Sequence, residues 1–522
     1  MAESAGSGRM SSLHSAWLFV LLVALQFLLH APLLRLPYFW DEAGYYIPAA
    51  RDLLLTGSPI PLSTPSNAHP PLVMAYLAFW WRLVGFAPEV TRTAMLVVSA
   101  FCLLGVFRLA RLVANAEVAT AATVLLAVYP VFFAQSSLAH LDVAAAGLTF
   151  WGLHACVRER PARAVVWFSL AALAKETAIL TPLALIAWEI LAPVFGRELS
   201  RARGRFVLLL PVLPLAVWYG YHYIRTGIVF GNAEFFRYNV AATLNPVRVL
   251  LALAMRLWQT FGYLHLYLLT LATLFAMWKP PLSVAGIDRP RIPVNVQSAF
   301  LAVTLAYVVF MSSVGGAVLA RYMLPAIPLV IIVWVSTLWR RVAAWRWVIA
   351  IVGLAFVAAW FVNPPYGFSP EDNLAYRDYI LLHQKAEKFL EARYPMARVM
   401  TAWPASDELS RPYLGYVTRP MQVLRIENFS AEQLMATADL RSRFDLALVF
   451  STKYEPPHVL LEHWRLWLEL KKRFFDYHLD LPPDIAAQIL GGQVIYSETR
   501  KGQWIAVIEM ERIQEAKAGP FF

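Results

Sequence analysis

The stretch LPYFWDEAGYYIPAARDLLLTG, residues 36–57, places two adjacent carboxylates directly after an apolar segment of membrane-spanning length. That segment, residues 15–34, has about the 20 apolar residues that a helix needs to cross a hydrocarbon core of about 30 Å. A signal peptide would have a shorter apolar region of about 7–15 residues and a small-residue cleavage site. Arg35 and Pro37 follow here instead. We therefore interpret residues 15–34 as the first membrane-spanning helix and the two acids as part of the first loop.

The composition of the chain indicates a polytopic membrane protein. Of its 522 residues, 59% are hydrophobic and 15% are charged, and its mean hydropathy is +0.53. Soluble domains have roughly 45–50% apolar and about 25% charged residues. The net charge of +11 does not indicate a nucleic-acid partner, because the arginines are dispersed between apolar runs. Cys102 and Cys156 both lie in apolar segments, which excludes a disulfide framework and a cysteine-based metal site.

Apolar segments of near-spanning length predict about 11 transmembrane helices. The segments lie at residues 15–34, 91–110, 118–136, 139–157, 164–178, 179–195, 206–224, 262–278, 296–314, 323–339 and 347–362. A further apolar stretch, residues 70–87, contains Arg82 and begins with two prolines. We interpret it as a helix at the membrane surface, with a twelfth span as the alternative. The predicted fold class is a polytopic α-helical membrane protein with interfacial helices on its outer face.

Arginine and lysine occur mainly in alternate loops, a pattern typical of cytoplasmic loops. The basic loops contain Arg108, Arg111, Arg158, Arg160, Arg163, Arg197, Arg201, Arg203, Arg205, Lys279, Arg289, Arg291, Arg340, Arg341 and Arg346. The opposite loops contain Asp41, Glu42, His69, His140, Asp142, Lys175, Glu176, Arg321 and Tyr322. The sequence therefore predicts a multi-pass protein of the cytoplasmic (inner) membrane, with these latter residues on the extracytoplasmic side.

The composition changes at about residue 363, where charges become frequent and apolar runs fall below spanning length. We assign residues 1–362 to a transmembrane domain and residues 363–522 to an extracytoplasmic domain that is long enough to hold its own core. Residues 371–395 have the pattern of an amphipathic helix. Four stretches are typical of strands, at residues 397–403, 444–450, 492–498 and 503–510. A C-terminal soluble α/β domain is predicted.

Asp41 and Glu42 follow three aromatic residues of the kind found at the membrane interface. A partly desolvated carboxylate gains basicity and can act as a general base towards an incoming hydroxyl. Adjacent helical residues diverge by about 100°, so we predict one base and one partner that positions it or binds a cation. The alternative is that both acids only cap the following helix and interact favourably with its dipole.

Two outward-facing stretches contain histidines. His69 precedes two prolines that fix a helix start, and the N–H groups at such an end suit an anion such as phosphate. A rigid helix start with a solvated histidine is the simpler explanation. His140 and Asp142 share a very short outer turn, where ionisable residues usually face an interior cavity.

Two further stretches contain cations. Lys175, beside Glu176, would pair with a phosphodiester or, more simply, with Asp142 or a lipid headgroup. Arg321 and Tyr322 begin a span, and arginine is the natural bidentate phosphate ligand. Anchoring of Arg321 at the interface by snorkelling is the alternative.

The chain lacks the spacings of common metal and nucleotide sites. The outward acids and histidines show no HExxH-type spacing, so no metal and no required cofactor is predicted, while a divalent cation stays open as an alternative. His222 and His265, at other outer ends, are further candidates. Walker, G-x-G-x-x-G and G-x-S-x-G motifs do not occur in the sequence, so nucleotide and acyl-serine chemistry lack support.

Five stretches in this order resemble the GT-C glycosyltransferases related to protein O-mannosyltransferases and to the bacterial lipid A aminoarabinose transferase. They are WDEAGYYIPAARDLLLTG, HPPLVMAYLAFWWRLVG, AHLD, LAKE and ARYMLPAIP. The resemblance covers roughly residues 15–362. It implies an integral membrane enzyme that uses a polyprenyl-phosphate sugar donor and inverts the anomeric carbon.

The resemblance also implies roles for individual residues. Asp41 matches the catalytic acid of the first outer loop and Glu42 its partner. His69 matches the position before the paired prolines, and Asp142 resembles a second acid in a later loop. Lys175 and Arg321 match more loosely, and we assign them to the donor phosphate on physical grounds that their place in the family pattern supports. The chain lacks the inserted β-trefoil domain of eukaryotic protein O-mannosyltransferases, and His69 stands where aminoarabinose transferases have lysine.

The sequence predicts a hexosyl- or pentosyltransferase that moves a sugar from a polyprenyl-phosphate donor to a lipid, glycan or protein hydroxyl at the outer face of the membrane. Its partners would be that donor, the acceptor and membrane lipids. The alternative is a transporter or flippase of lipid-linked sugars, in which polar residues would continue through the spans. A third hypothesis is a non-catalytic scaffold that presents the C-terminal domain.

Overall fold

The computed structural model describes residues 12–195, 205–454, 456 and 464–511. By compactness the chain divides into two units. The membrane unit comprises Met1–Arg35, Tyr45–Pro364 and Glu371–Leu374, and the C-terminal unit comprises Leu36–Gly44, Pro365–Pro370 and Ala375–Phe522. The first loop therefore groups with the C-terminal unit, although it precedes nearly all of the membrane unit in sequence.

The membrane unit is helical. Its α-helices in the described residues are α1 (Ser12–His30), α2 (Ile47–Thr56), α3 (Leu72–Val84), α4 (Pro88–Val113), α5 (Ala116–Val128), α6 (Pro130–Gln135), α7 (Asp142–Val157), α8 (Pro161–Ala174), α9 (Leu180–Leu191), α10 (Val212–Thr226), α11 (Ala233–Asn239), α12 (Pro246–Phe261), α13 (Leu266–Met277), α14 (Val294–Ser313), α15 (Ile327–Arg341) and α16 (Trp345–Phe361). A two-residue hairpin, β1 (Ser283–Val284) with β2 (Ile287–Asp288), lies between α13 and α14.

Six helical stretches among the described residues are long and apolar enough to cross a membrane. They are His14–Leu33, Pro88–Val113, Glu176–Val194, Phe206–Thr226, Pro246–Met277 and Val294–Ser313. Shorter apolar helices occur at Leu72–Val84, Ala116–Val128, Asp142–Val157, Pro161–Ala174 and Trp345–Phe361. The chain is thus a multi-pass membrane protein, while the count of about 11 spans stays a prediction.

Local signals in the sequence explain where helices begin and end. Helix α4 begins with proline at its first position, where the missing N–H costs nothing, and has Glu89 in its first turn, which suits the helix dipole. It ends at Val113, and the Asn115 side chain then accepts a hydrogen bond of 2.9 Å from Val118 N to cap α5. Only Ala114 and Asn115 separate the two helices, and α4 packs against α5.

Basic loops meet at one end of the membrane unit. Arg289 Nη1 donates to the carbonyl of Trp339 at 2.5 Å, and Arg340 Nε donates to the carbonyl of Arg289 at 2.9 Å. Arg346 pairs with Glu117 at 2.5 Å. These contacts bring together three of the five basic loops, and the cytoplasmic location of the loops stays a prediction. Arg197, Arg201 and Arg203 lie outside the described residues.

The C-terminal unit contains a mixed five-stranded sheet in the order β4-β3-β5-β7-β6. Its strands are β3 (Arg398–Ala402), β4 (Gln422–Ile426), β5 (Leu446–Phe450), β6 (Gly492–Arg500) and β7 (Gln503–Met510). Strand β3 pairs in parallel with β4 and β5, and β7 pairs antiparallel with β5 and β6. The five residues of β5 are all buried, as expected of a central strand.

Five helices accompany the sheet in the described residues. They are α17 (Ala375–Arg393), α18 (Ala405–Ser410), α19 (Ala431–Ala438), α20 (Arg465–Phe475) and α21 (Pro483–Leu490). Helix α17 packs on β6 and β7, and α18 packs on β3 and β4. The helix predicted within residues 371–395 and the four predicted strands are present, and β4 is additional.

Candidate active site

His69 lies in a cluster formed by three separate segments of the membrane unit. Its Nδ1 is 3.0 Å from Glu176 Oε2, and its ring contacts the rings of Tyr45 and Tyr46 at 5.7 and 5.9 Å. The preceding residue, Ala68, has a positive φ of 57°, and its carbonyl accepts a 2.8 Å hydrogen bond from Trp218 Nε1. These contacts fix His69 at the start of α3, so it is not the solvated histidine of the simpler explanation.

Four separate segments of the membrane unit bring two cations and two carboxylates together, and we call Asp142, Lys175, Arg321 and Glu371 the buried charge network. Lys175 Nζ is 2.6 Å from Asp142 Oδ1, and Arg321 Nε is 3.5 Å from Asp142 Oδ2. Arg321 Nη1 is 2.7 Å from Glu371 Oε2. The four side chains are at most 8% exposed. The two positive and two negative charges cancel, so the network buries two cations without a net charge.

His140 lies in the turn before α7 and touches this network. Arg321 Nη1 is 2.7 Å from His140 Nδ1, and the ring of Tyr46 lies 5.8 Å from that of His140. A neutral imidazole can accept a hydrogen bond from the guanidinium, which only donates.

Tyr322 forms an aromatic surface beside the cations. Lys175 Nζ lies 4.0 Å from its ring centroid, and the guanidinium carbons of Arg256 and Arg321 lie 5.5 and 5.6 Å from it. Attraction between a cation and a ring face helps to hold like charges near one another. Tyr322 therefore belongs to the same site as the buried charge network.

Two arginines of α12, which the sequence analysis missed, hold the segment before Arg321. Arg248 Nη2 donates to the carbonyl of Gly315 at 2.7 Å, and Arg256 Nη1 donates to the carbonyl of Leu319 at 2.6 Å. Both arginines are at most 2% exposed. The signal was present, because PVRVLLALAMRLWQTF is a strongly amphipathic helix whose arginines fall on the buried face.

Glu371 and Asp372 were also missed as site residues, because they lie beyond the predicted end of the transmembrane domain. Asp372 accepts a 2.7 Å hydrogen bond from Tyr263 Oη, and the Glu371 carbonyl accepts one of 3.1 Å from Gln135 Nε2. Both acids are nearly inaccessible to solvent and belong to the membrane unit. Two adjacent acids in a 3₁₀ turn offered the signal, but their partners lie far away in sequence.

His222 and His265 lie outside the buried charge network. His222 Nε2 is 2.8 Å from Ser66 Oγ, and its Nδ1 is 2.7 Å from the Ile228 carbonyl oxygen, so it supports the loop that leads to His69. His265 has a positive φ of 70° and contacts Tyr267. His222 thus positions a site loop.

Asp41 and Glu42 differ in environment within the C-terminal unit. Glu42 is fully buried, and its Oε2 accepts a 2.8 Å hydrogen bond from Phe39 N, while Glu42 N donates to the Phe39 carbonyl at 2.9 Å. These two bonds close the turn from Phe39 to Glu42. Asp41 is partly exposed. The more accessible carboxylate is therefore that of Asp41.

The segment that carries these acids is fixed by close packing. Tyr416 Oη donates to the Tyr38 carbonyl at 3.0 Å, and the Trp40 ring packs edge-on against Trp403 at 5.2 Å. Trp40 has a positive φ of 46°, a strained conformation for a bulky residue. A Cβ on Gly44 would lie 2.6 Å from the Trp403 indole, so glycine is needed there. Strain of this kind persists only where the surroundings enforce it.

Comparison with known proteins supports the fold. A family model described as dolichyl-phosphate-mannose-protein mannosyltransferase matches residues 68–219. No curated protein matches the chain in sequence. ArnT from Cupriavidus metallidurans in the apo state is similar in structure, with 14% identity, a TM-score of 0.53, and coverage of 95% of this chain and 98% of that one.

Two further solved structures are similar. ArnT from Cupriavidus metallidurans bound to undecaprenyl phosphate has 15% identity and a TM-score of 0.51, with coverage of 95% and 98%. The Archaeoglobus fulgidus oligosaccharyltransferase in the apo form has 10% identity and a TM-score of 0.48, with coverage of 95% of this chain and 74% of that one. The ArnT structures and the family model confirm the predicted GT-C fold and the resemblance to GT-C glycosyltransferases.

Proposed function

We propose that this chain, which has the GT-C fold, is an inverting glycosyltransferase that moves a hexose or pentose from a polyprenyl-phosphate donor to an acceptor hydroxyl. The observation that carries the proposal is the buried charge network, which holds Lys175 and Arg321 at fixed positions with little water. Fixed donors stabilise a developing negative charge best where solvent is excluded. A lipid phosphate that leaves from a sugar develops such a charge.

The donor phosphate is assigned to Lys175 and Arg321. An ammonium has three N–H donors and a guanidinium has five, so each can bind a phosphate oxygen while still paired with its carboxylate. The first-turn N–H groups of α3, which follow His69, would add further donors because they have no partner within the helix. The similar structure of ArnT from Cupriavidus metallidurans bound to undecaprenyl phosphate supports this class of donor.

The acceptor hydroxyl is assigned to Asp41. Its carboxylate takes the proton of the hydroxyl, and the acceptor oxygen forms a bond to the anomeric carbon on the face opposite the phosphate. The bond between that carbon and the phosphate oxygen breaks, and its electron pair leaves on the polyprenyl phosphate. Configuration inverts in this single displacement. Glu42 acts as a positioning residue, because its hydrogen bond to Phe39 N holds the turn.

The outer face of the cytoplasmic membrane is the proposed location of the reaction. It is supported by the arginine-rich loops around residues 289 and 340, which contact one another and which we assign to the cytoplasm. A lipid-linked donor stays in the bilayer, so an enzyme that uses it needs polar groups at the membrane interface. No nucleotide or metal is required by this chemistry, since the leaving group is already a stable anion.

A transfer assay with the purified chain in proteoliposomes tests the proposal. The donor is undecaprenyl phosphate that carries a radiolabelled sugar, and a membrane extract supplies acceptors. We expect label in an acceptor with the wild type and a loss of at least about 100-fold with Asp41→Asn. Glu117→Gln, at the basic end, is the matched control and should keep full activity. Equal rates for Asp41→Asn would refute the assigned base, and intact donor that crosses the bilayer would favour the flippase.

A further inference from the structure

A histidine and two glutamates meet in the interior of the C-terminal unit, and they have no role in the proposed transfer. His383 and Glu387 lie four residues apart on α17 and therefore share one face of that helix. Glu408 comes from α18. His383 Nδ1 is 2.7 Å from Glu408 Oε2 and 3.4 Å from Glu387 Oε1. One nitrogen and one oxygen from each glutamate all lie within 4.8 Å of one another.

These three side chains are almost fully buried, although several of their polar atoms have no hydrogen-bond partner in the described residues. His383 is 1% exposed, and Glu387 and Glu408 are 0% exposed. Both carboxylate oxygens of Glu387, Oε1 of Glu408 and Nε2 of His383 have no hydrogen-bond partner in the described part of the chain. Leaving a buried polar group without a partner costs about 1–3 kcal/mol, and more for a charge. These four buried atoms would therefore be stabilised by a ligand that binds them.

A single proton does not satisfy the cluster. A proton shared between Glu387 and Glu408 removes one charge and satisfies one oxygen of each, but it leaves the second Glu387 oxygen and His383 Nε2 without a partner in the described part of the chain. A divalent cation neutralises both carboxylates at once and can bind one atom of each of the three side chains.

We propose that His383, Glu387 and Glu408 bind a divalent transition metal of the Zn²⁺ class, which fastens α18 to α17. Ligands at about 2.0–2.2 Å from a tetrahedral zinc ion are about 3.4 Å apart. His383 Nδ1 and Glu387 Oε1 already have this spacing of 3.4 Å, and the 2.7 Å hydrogen bond between His383 Nδ1 and Glu408 Oε2 would lengthen when a metal replaces its proton. One imidazole with two carboxylates suits Zn²⁺, whereas Ca²⁺ and Mg²⁺ prefer all-oxygen shells. Tyr379 stacks on the His383 ring at 3.9 Å and Phe450 packs against it at 4.6 Å, which restricts its rotation.

Metal content of the full chain tests this site. Protein purified in detergent without a polyhistidine tag is treated with EDTA, equilibrated with ZnCl₂ and measured by mass spectrometry after gel filtration. We expect bound Zn²⁺ in the wild type that Glu387→Gln weakens by at least about tenfold. Glu391→Gln is the matched control, because Glu391 lies one turn further along α17 and bonds Thr418 N at 2.8 Å. Its zinc content should equal that of the wild type.

Two further readouts keep the test decisive if a variant folds poorly. CoCl₂ added to the EDTA-treated wild type should give the visible absorption of Co²⁺ with mixed nitrogen and oxygen ligands, and ZnCl₂ should abolish it. Zinc should also raise the thermal midpoint of the wild type and of Glu391→Gln. Wild-type protein that holds no zinc, or Glu387→Gln with unchanged zinc content, would overturn the proposal. Activity does not enter these readouts, so failure here is separate from failure of the proposed function.

Discussion

Asp142→Asn should destabilise the protein by about 3–5 kcal/mol, because removal of one partner leaves a buried charge uncompensated. Asp142 is the only carboxylate that the described structure places within 4 Å of Lys175 Nζ, at 2.6 Å. The Asp142 side chain is 3% exposed and that of Lys175 is 8% exposed, so water cannot replace the lost partner. Asparagine keeps the volume of the side chain, and the effect is therefore electrostatic.

The matched control is an exposed ion pair of the same chain. Glu117 and Arg346 are 2.5 Å apart, but their side chains are 45% and 73% exposed. Such pairs contribute about 0–1 kcal/mol. At no more than about 2 °C per kcal/mol for a chain of this size, Asp142→Asn should lower the apparent melting temperature by up to about 10 °C. Glu117→Gln should lower it by less than about 2 °C. Tryptophan fluorescence of the detergent-solubilised protein measures both.

A double variant separates charge from packing. Lys175→Met removes the stranded ammonium and keeps an apolar chain of similar length, so Asp142→Asn with Lys175→Met should be more stable than Asp142→Asn alone. The reasoning would be refuted if Asp142→Asn were no more destabilising than Glu117→Gln. It would also be refuted if Lys175→Met made the Asp142→Asn protein less stable.

Three further outcomes follow from the site. Glu42→Ala should destabilise the protein by about 1–3 kcal/mol, because it leaves the buried Phe39 N–H without its acceptor, while Asp41→Asn should leave the melting temperature nearly unchanged and reduce turnover at least about 100-fold. Gly44→Ala should lower the melting temperature, because its Cβ meets the Trp403 indole at 2.6 Å. Arg256→Met should reduce donor turnover by displacing the segment before Arg321, measurable as a lower kcat in the transfer assay.

Hydrophobic patterning was sufficient to predict most helices and the central strands. Strand β5 consists of five buried residues and is read directly from its apolar run. Strand β4, QVLRI, was missed because it lies at the edge of the sheet, where Gln422 and Arg425 are exposed and the apolar signal is weak. Helix α12 was missed because its arginines interrupt the apolar pattern, although the folded chain buries them against backbone carbonyls.

The sequence predicted some of the residues of the site, but it did not predict which of them contact one another. Sequence spacing indicated that Asp142, Lys175 and Arg321 share one face of the membrane, and the structure brings them into contact. The partnership of Arg321 with Glu371 joins residues 50 positions apart and depends on how α16 returns the chain to the site. Local pattern contains no information on such contacts.

Recognition of a lipid phosphate is the central claim, and binding of undecaprenyl phosphate tests it without knowledge of the sugar or acceptor. The measurement compares undecaprenyl phosphate with undecaprenol, the same lipid without its phosphate, on the purified full chain by native mass spectrometry. We predict that the wild type binds the phosphate in preference to the alcohol, and that Lys175→Met and Arg321→Met each lose at least about tenfold in affinity, as expected for a charge-assisted contact. Equal binding of the two lipids, or unchanged affinity in both variants, would contradict the account.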